Sequence, residues 1–508
     1  MRVRANGLVG IGMMLLFSVA GFAAPESDLR LVEAAEKGNT AAVRALLGQR
    51  VDVNLSQADG TTALAWAVHR DDAETADLLI RAGANVNAAN EYGVTPLSLA
   101  CTNRNAALVS KLLEAGANPN AAQWTGETPL MTCARTGNVD AVRALLARGA
   151  DANATESQKG QTALMWAVGG KHADAARMLV ERRADVNARS KTGFTPLMFA
   201  AQQGDVESAR ILLAAGANVN DATPKDGSAL VVASASGHED VGILLLDKGA
   251  NPNVTDSDGI APLHYVAQEG MSAVSGVDND HFLAYLFRPN LVGLAKSLLA
   301  HGANPNVRMA QPPSRLMLQY RPRLRLPGAT PFFLAAATGD AELMRILAAG
   351  GADPKLGATT NTTPLMAAAG MGQIEKRTAE EEKAALEAVQ VALELGNDIN
   401  ATGERGMTAL HGATLSGANS IIQFLVDKGA KINQQDTCGQ TALSIAQGDP
   451  SELVNRSDRF RVYKGTVDLV TKLGGQVLPF TPVAQCQHTR HNATKDLEYG
   501  EYGGLSPL

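Results

Sequence analysis

The chain writes one phrase again and again. Residues 195–220 read TPLMFAAQQGDVESARILLAAGANVN, residues 95–120 read TPLSLACTNRNAALVSKLLEAGANPN, and a third copy starts at Thr128. A period of a few tens of residues rules out one closed core. Each copy is a supersecondary unit whose apolar surface is covered by the next copy. Anchored on Thr-Pro-Leu or its degenerate form, copies begin at Leu29, Thr62, Thr95, Thr128, Thr162, Thr195, Ser228, Ala261, Thr330, Thr363, Thr408 and Thr441. Most successive anchors are 33 residues apart; the steps after Ala261 and Thr363 are longer and read as insertions rather than lost copies.

The physics of one unit is legible in 193–220. Gly193 ends a hairpin tip, Thr195 is placed to cap a first helix, and Pro196 falls at its first position, where a missing N–H is harmless. Leu197, Ala200 and Ala201 form an inward stripe whose alanines let neighbouring helices come close. Gly204 breaks the chain, Asp205 caps a second helix, and Val206, Ala209, Ile211, Leu212 and Leu213 give that helix its apolar face. Gly216 stops it. Aromatic residues are only 4% of the chain, so Ala, Leu and Val must fill the core, and the 49 glycines fit helices that end often.

Period, opening phrase and the closing Gly-Ala-Asn phrase together resemble the ankyrin-repeat family, over about residues 28–475. The resemblance implies an all-α repeat solenoid of about twelve ankyrin units, each a helix-turn-helix plus a β-hairpin, in a curved stack. Both ends read as caps. The first unit, 29–54, lacks Thr-Pro and has Arg50 where inner units have the closing Gly; the last, opened by Thr441, reaches its second helix late, at 466–475. Within the opening phrase, Met131, Met165, Met198 and Met366 replace the family's His, which His264 and His411 keep. The family His orders hairpin hydrogen bonds, and Met supplies packing instead. Trp66, Trp166, Phe199 and Tyr265 share the next position and read as packing between helices and fingers, with an aromatic ladder as the alternative.

Residues 1–23 read as a secretory signal peptide: basic MRVR, the apolar run GLVGIGMMLLFSVAGF, then small residues ending at Ala23. The mature chain is expected to be exported, periplasmic or else extracellular, with no transmembrane segment after cleavage. The solenoid is assigned to 24–475, with insertions near 270–290, 307–328, 373–386 and 448–460, and 476–508 is a non-repeat tail. The insertion at 373–396 reads as a lengthened second helix with its charges on a solvated face. Four cysteines are too few for a disulfide scaffold. Cys101 and Cys133 read as core filler too far apart to bridge, since helix layers lie about 10 Å apart. Cys438, on a hairpin tip, has Cys486 as a candidate disulfide partner.

A net charge of −6 argues against a nucleic-acid partner. No nucleophile elbow, phosphate loop or paired-His zinc helix is present, and no second domain has room for an active site, so no enzyme activity is expected. No cofactor is expected either. Cys486, His488 and His491 in the tail are a weak metal signal, and no metal site is assigned. The expected role is a protein-binding scaffold using hairpin tips and the exposed ends of first helices, as the resemblance implies. The candidate partner-binding residues are Tyr92, Trp124, Lys159 and Lys191 at tips, and His69, Arg70, Thr102, Asn103, Arg135, Gln202 and Gln203 at helix ends. Trp124 stands out, because an indole on a tip either docks a partner or packs on a neighbouring finger. Arg321, Arg323 and Arg325 join them, from VRMAQPPSRLMLQYRPRLRLPG (307–328), which also holds Arg308 and Arg315 and has no acidic residue. That finger suits an acidic partner. The alternatives are a secreted effector engaging host proteins, an envelope protein held by the arginine finger, and an accessory subunit whose tail holds a metal.

Overall fold

A computed structural model of the chain describes residues 28–267, 290–310, 327–372, 377–448 and 463–479. They fall into two compact units, one ending at Trp124 and one starting at Thr125. Every anchor of the repeated phrase, from Leu29 to Thr441, is the residue that precedes a first helix. The threonines do so by chemistry: Thr195 Oγ1 accepts the Met198 N–H, and Thr62 Oγ1 accepts the Ala65 N–H, closing an orphan donor of the first turn. Second helices start on their own caps, Asn39, Asp72, Asn105, Asn138 and Asp205 among them.

In the first unit, helices Arg30–Glu36, Ala63–His69 and Pro96–Thr102 stack as one layer, and Thr40–Gly48 and Ala73–Arg81 are neighbours in a second layer continued by Ala106–Glu114. Leu31, Val43, Leu64, Leu79, Leu97 and Leu112 are fully enclosed between them. The second unit repeats the layering from Pro129–Arg135 and Val139–Ala147 to Ala442–Gln447 and Lys464–Lys472. Its core is again Ala and Leu, with Phe332 and Phe333 as its largest fully buried side chains.

Two hydrogen-bond ladders hold consecutive fingers in register. At the tips, one backbone bond joins most fingers to the one before. Glu91 N donates to Asp59 O at 2.8 Å and Trp124 N to Tyr92 O at 3.1 Å in the first unit; Ser157 to Thr125, Lys191 to Lys159 and Thr437 to Arg405, each at 2.8 Å, repeat it in the second. At the finger bases an Asn reaches across. Asn220 Nδ2 donates to Gly249 O at 3.0 Å while its Oδ1 accepts Asn251 N at 2.7 Å. The same pair of bonds runs from Asn253 to Gly302 and Asn304, and from Asn306 to Gly351 and Asp353. The two longest insertions, after Ala261 and in the next finger, therefore leave the register between neighbours intact.

Several expectations are refined. The fingers contain little β-ladder among the described residues: one short pair, Ala222–Thr223 with Gly227–Ser228, and single bridges at Ser56–Thr62 and Thr155–Thr162. Side chains do the work instead, as where Asn90 Oδ1 accepts both Tyr92 N and Val94 N. The long insertion does lengthen a second helix, to Ala379–Glu394, but Arg377 just before it is buried and donates to Ala368 O at 3.0 Å rather than facing solvent.

The cysteines depart furthest from expectation. Cys101, Cys133 and Cys438 each take part in a disulfide, and none of the described cysteines is free. Reading Cys101 and Cys133 as unpaired filler used the spacing of helix axes. A cysteine Sγ lies off the axis, so axis spacing alone does not decide whether a cysteine pairs. Cys486, the proposed partner of Cys438, lies outside the described residues, as do the signal segment, Arg315, Arg321, Arg323, Arg325, His488 and His491.

Candidate functional site

The finger tips and first-helix ends divide sharply once their contacts are traced. Among the tips of the first unit, Trp124 keeps 73% of its surface exposed and Tyr92 keeps 52%, the largest exposures of any described big apolar side chains apart from Val477. The tip ladder bonds their backbones directly, so the rings stand on adjacent fingers. With Glu91 they line an open cleft of about 300 Å³. The neighbouring Glu91 carboxylate raises the Tyr92 phenol above its ordinary pKa. Sequence reasoning missed Glu91, although it stands beside Tyr92 in the tip NEYG.

In the second unit Lys159 is exposed at its tip. Lys191 is not free: its ammonium donates to the Ser157 carbonyl of the preceding finger. The arginine finger is described only at its base, where Met309 N donates to Ala329 O at 3.0 Å and Gly328 N to Met309 O at 2.8 Å. Arg308 is committed there, donating to Gly328 O and Gly357 O at 3.3 and 3.1 Å.

The first-helix ends are largely occupied by the fold itself. Arg70 donates to Glu36 O at 3.2 Å, and Asn103 donates to Val68 O and His69 O at 2.6 and 3.2 Å, capping the carbonyl end of the preceding first helix. Thr102 bonds back to Ser98 O, and His69 sits edge-on to Trp66 at 5.6 Å. Arg135 lies 5.3 Å over the Trp166 ring and 3.6 Å from Glu127. The Gln202 side chain is exposed and Gln203 half-buried, while the Gln202 carbonyl accepts from the His238 ring. The shared aromatic position is packing: Trp66 Nε1 donates to Gln57 at 3.0 Å, Tyr265 to Asp256 at 2.6 Å, and Phe199 meets Phe194 edge-on, each within its own finger. His264 and His411 bridge the first helix to finger carbonyls.

A model of ankyrin repeats (three copies) matches residues 31–123, 118–190, 184–256 and 377–455, more than half of the chain. The chain belongs to the ankyrin-repeat family. Ankyrin repeats form protein-binding scaffolds that are typically not enzymes, and this repeat solenoid is built as one. Among solved structures, the human ASB11 ankyrin repeat domain is similar: 30% identical, covering 44% of this chain and 98% of that one, with a TM-score of 0.40. No curated protein matches the chain. Among the described residues no group of three or more His, Cys, Asp or Glu side chains is placed to hold a metal, and no helix is long and apolar enough to cross a membrane.

Proposed function

We propose that this ankyrin-repeat protein is an exported scaffold, about twelve units in a curved stack, that docks partner proteins through its finger tips. The exposed Tyr92–Trp124 pair carries the reading. Aromatic side chains of this size dominate binding hot spots, and nothing in their own unit covers them. Export rests on the apolar segment ending at Ala23 and is supported by the disulfides of Cys101, Cys133 and Cys438, since disulfides persist in oxidising compartments. The periplasm is the proposed location. The arginine segment 307–328 is a second docking element for an acidic partner, with Arg321, Arg323 and Arg325 as its cations.

The test is affinity capture by the mature chain from the envelope of its own cells, in parallel with a Tyr92→Ala/Trp124→Ala chain and an Arg321→Glu/Arg323→Glu/Arg325→Glu chain. A specific partner retained by the wild type and lost by the tip variant is expected. Identical capture by the wild type and tip variant refutes docking at the tips. Cell fractionation checks the location, and recovery of the uncleaved chain in the cytoplasm refutes export.

A further inference from the structure

The tip cleft of the first unit selects its occupant by charge as well as by shape. Two aromatic rings and a carboxylate line it: Trp124, Tyr92 and Glu91. The exposed Glu91 carboxylate at its edge offers several acceptor lone pairs. On the preceding tip, Asp59 adds a second negative charge felt at Tyr92. The Asp59 carboxylate is fixed by the Thr61 N–H at 2.9 Å and the Thr61 hydroxyl at 2.8 Å. Exposed ring faces attract cations, and paired carboxylates repel phosphates and acidic peptides. A purely apolar anchor would leave Glu91 desolvated without a partner.

We propose that the Glu91–Tyr92–Trp124 cleft binds an arginine side chain presented by a partner protein. The guanidinium stacks on the exposed rings and bonds to the Glu91 carboxylate. The plane of the group decides for arginine over lysine. It lies flat on an aromatic face while its N–H edges bond sideways, and it sheds water more readily than an ammonium. This inference rests on reading the tips as a docking surface and names what they dock.

The probe is a fluorescein-labelled peptide of four Arg-Gly pairs, with Lys-Gly and Gln-Gly counterparts, titrated against the intact mature chain by fluorescence anisotropy. The Arg peptide is expected to bind about tenfold tighter than the Gln peptide and measurably tighter than the Lys peptide. Trp124→Ala should weaken the Arg peptide about tenfold, and Glu91→Gln about fivefold, while Trp124→Phe stays within about twofold. Trp124→Ala changes no charge, so its effect is separate from general attraction to a chain of net charge −6. These side chains are exposed, and circular dichroism checks that each variant folds. Equal binding of Arg and Gln peptides, or of wild type and Trp124→Ala, overturns the proposal; equal binding of Lys and Arg peptides overturns the guanidinium assignment. If the peptides fail while Trp124→Ala still abolishes envelope capture, the scaffold reading stands and this inference falls.

Discussion

His264 should make this solenoid sensitive to mild acid. Its ring is fully enclosed. Nδ1 accepts the Ala261 N–H at 3.1 Å, and Nε2 faces the Ala329 carbonyl at 3.3 Å, so the neutral tautomer with its proton on Nε2 satisfies both groups. Protonation would set an N–H on Nδ1 against the Ala261 N–H and leave a charge in the core. Burial accordingly holds the pKa down to about 4, from 6.5, with the carbonyls of Ala329 and Val307 offsetting only part. The unfolded chain takes up its proton near pH 6.5 and the folded chain only near pH 4. The His264 contribution is therefore complete above pH 6.5 and is lost as pH falls through that window. Roughly 2.5 pH units at about 1.4 kcal/mol each gives about 3 kcal/mol. Burial lowers His411 in the same direction, so the comparison must isolate one residue. His264→Met does so, because Met131, Met165, Met198 and Met366 fill the equivalent place in other repeats. The variant loses two hydrogen bonds and should be about 1–3 kcal/mol less stable at pH 7.5. Its deficit should shrink or reverse by pH 4.5. Repeat arrays unfold in parts, so the suitable assay is hydrogen exchange of the 261–267 segment, corrected for intrinsic rate, from pH 7.5 to 4.5. A deficit that stays constant across that range refutes the argument.

Three further outcomes are expected. Arg183 holds φ +66°, where other repeats place Gly83, Gly116, Gly149 and Gly216 with open space around a would-be Cβ; Arg183→Gly should relieve left-handed strain and stabilise by about 1 kcal/mol, read as a raised Tm. Asn187 donates to Gly216 O at 3.3 Å and accepts Asn218 N at 2.8 Å, so Asn187→Ala should cost about 2 kcal/mol and speed exchange at the 218 amide. Leu145 has no exposed surface in the helix Val139–Ala147, and Leu145→Ala should cost about 2–5 kcal/mol by urea denaturation, with Trp124 exposure and peptide binding at the first-unit tip unchanged.

The helix starts were legible because their chemistry is local. Thr195 and Asp205 find their acceptor roles within three residues, so the letters alone place them. The apolar stripe of 196–213 was legible for the same reason: its period lies within one unit. Much of what escaped the sequence is set by residues 30 or more positions away. Nothing near Lys191 says that its ammonium will reach the Ser157 carbonyl, and nothing near Asn103 announces the Val68 carbonyl. The buried Arg377 was hidden in a run of charge that otherwise faces solvent. That Cys101 and Cys133 are disulfide-bonded depends on ångström-scale sulfur geometry, which a repeat length does not specify. Glu91 was overlooked because a charged tip residue is unremarkable until Tyr92 and Trp124 are seen beside it.

The two ladders explain why recognition belongs at the tips more than at the helix ends. The Glu91 and Trp124 tips contribute a backbone N–H to the stack, bonded to Asp59 O and Tyr92 O, whereas the Lys191 tip also uses its side chain. The Trp124 ring has no such duty and stands exposed without weakening any contact beneath it. At the helix ends the side chains are the stitches: Arg70 serves Glu36, Asn103 serves Val68 and His69, and the ring of His238 serves Gln202. Changing a helix-end residue alters stability and surface together, whereas changing Tyr92 or Trp124 alters the surface alone. Substitutions at Arg70 and Asn103 should therefore lower affinity and stability in proportion. Those at Tyr92, Glu91 and Trp124 should lower affinity with the folding free energy unchanged. Equal stability losses at both sets of positions, measured by urea denaturation, would remove the distinction on which the tip assignment depends.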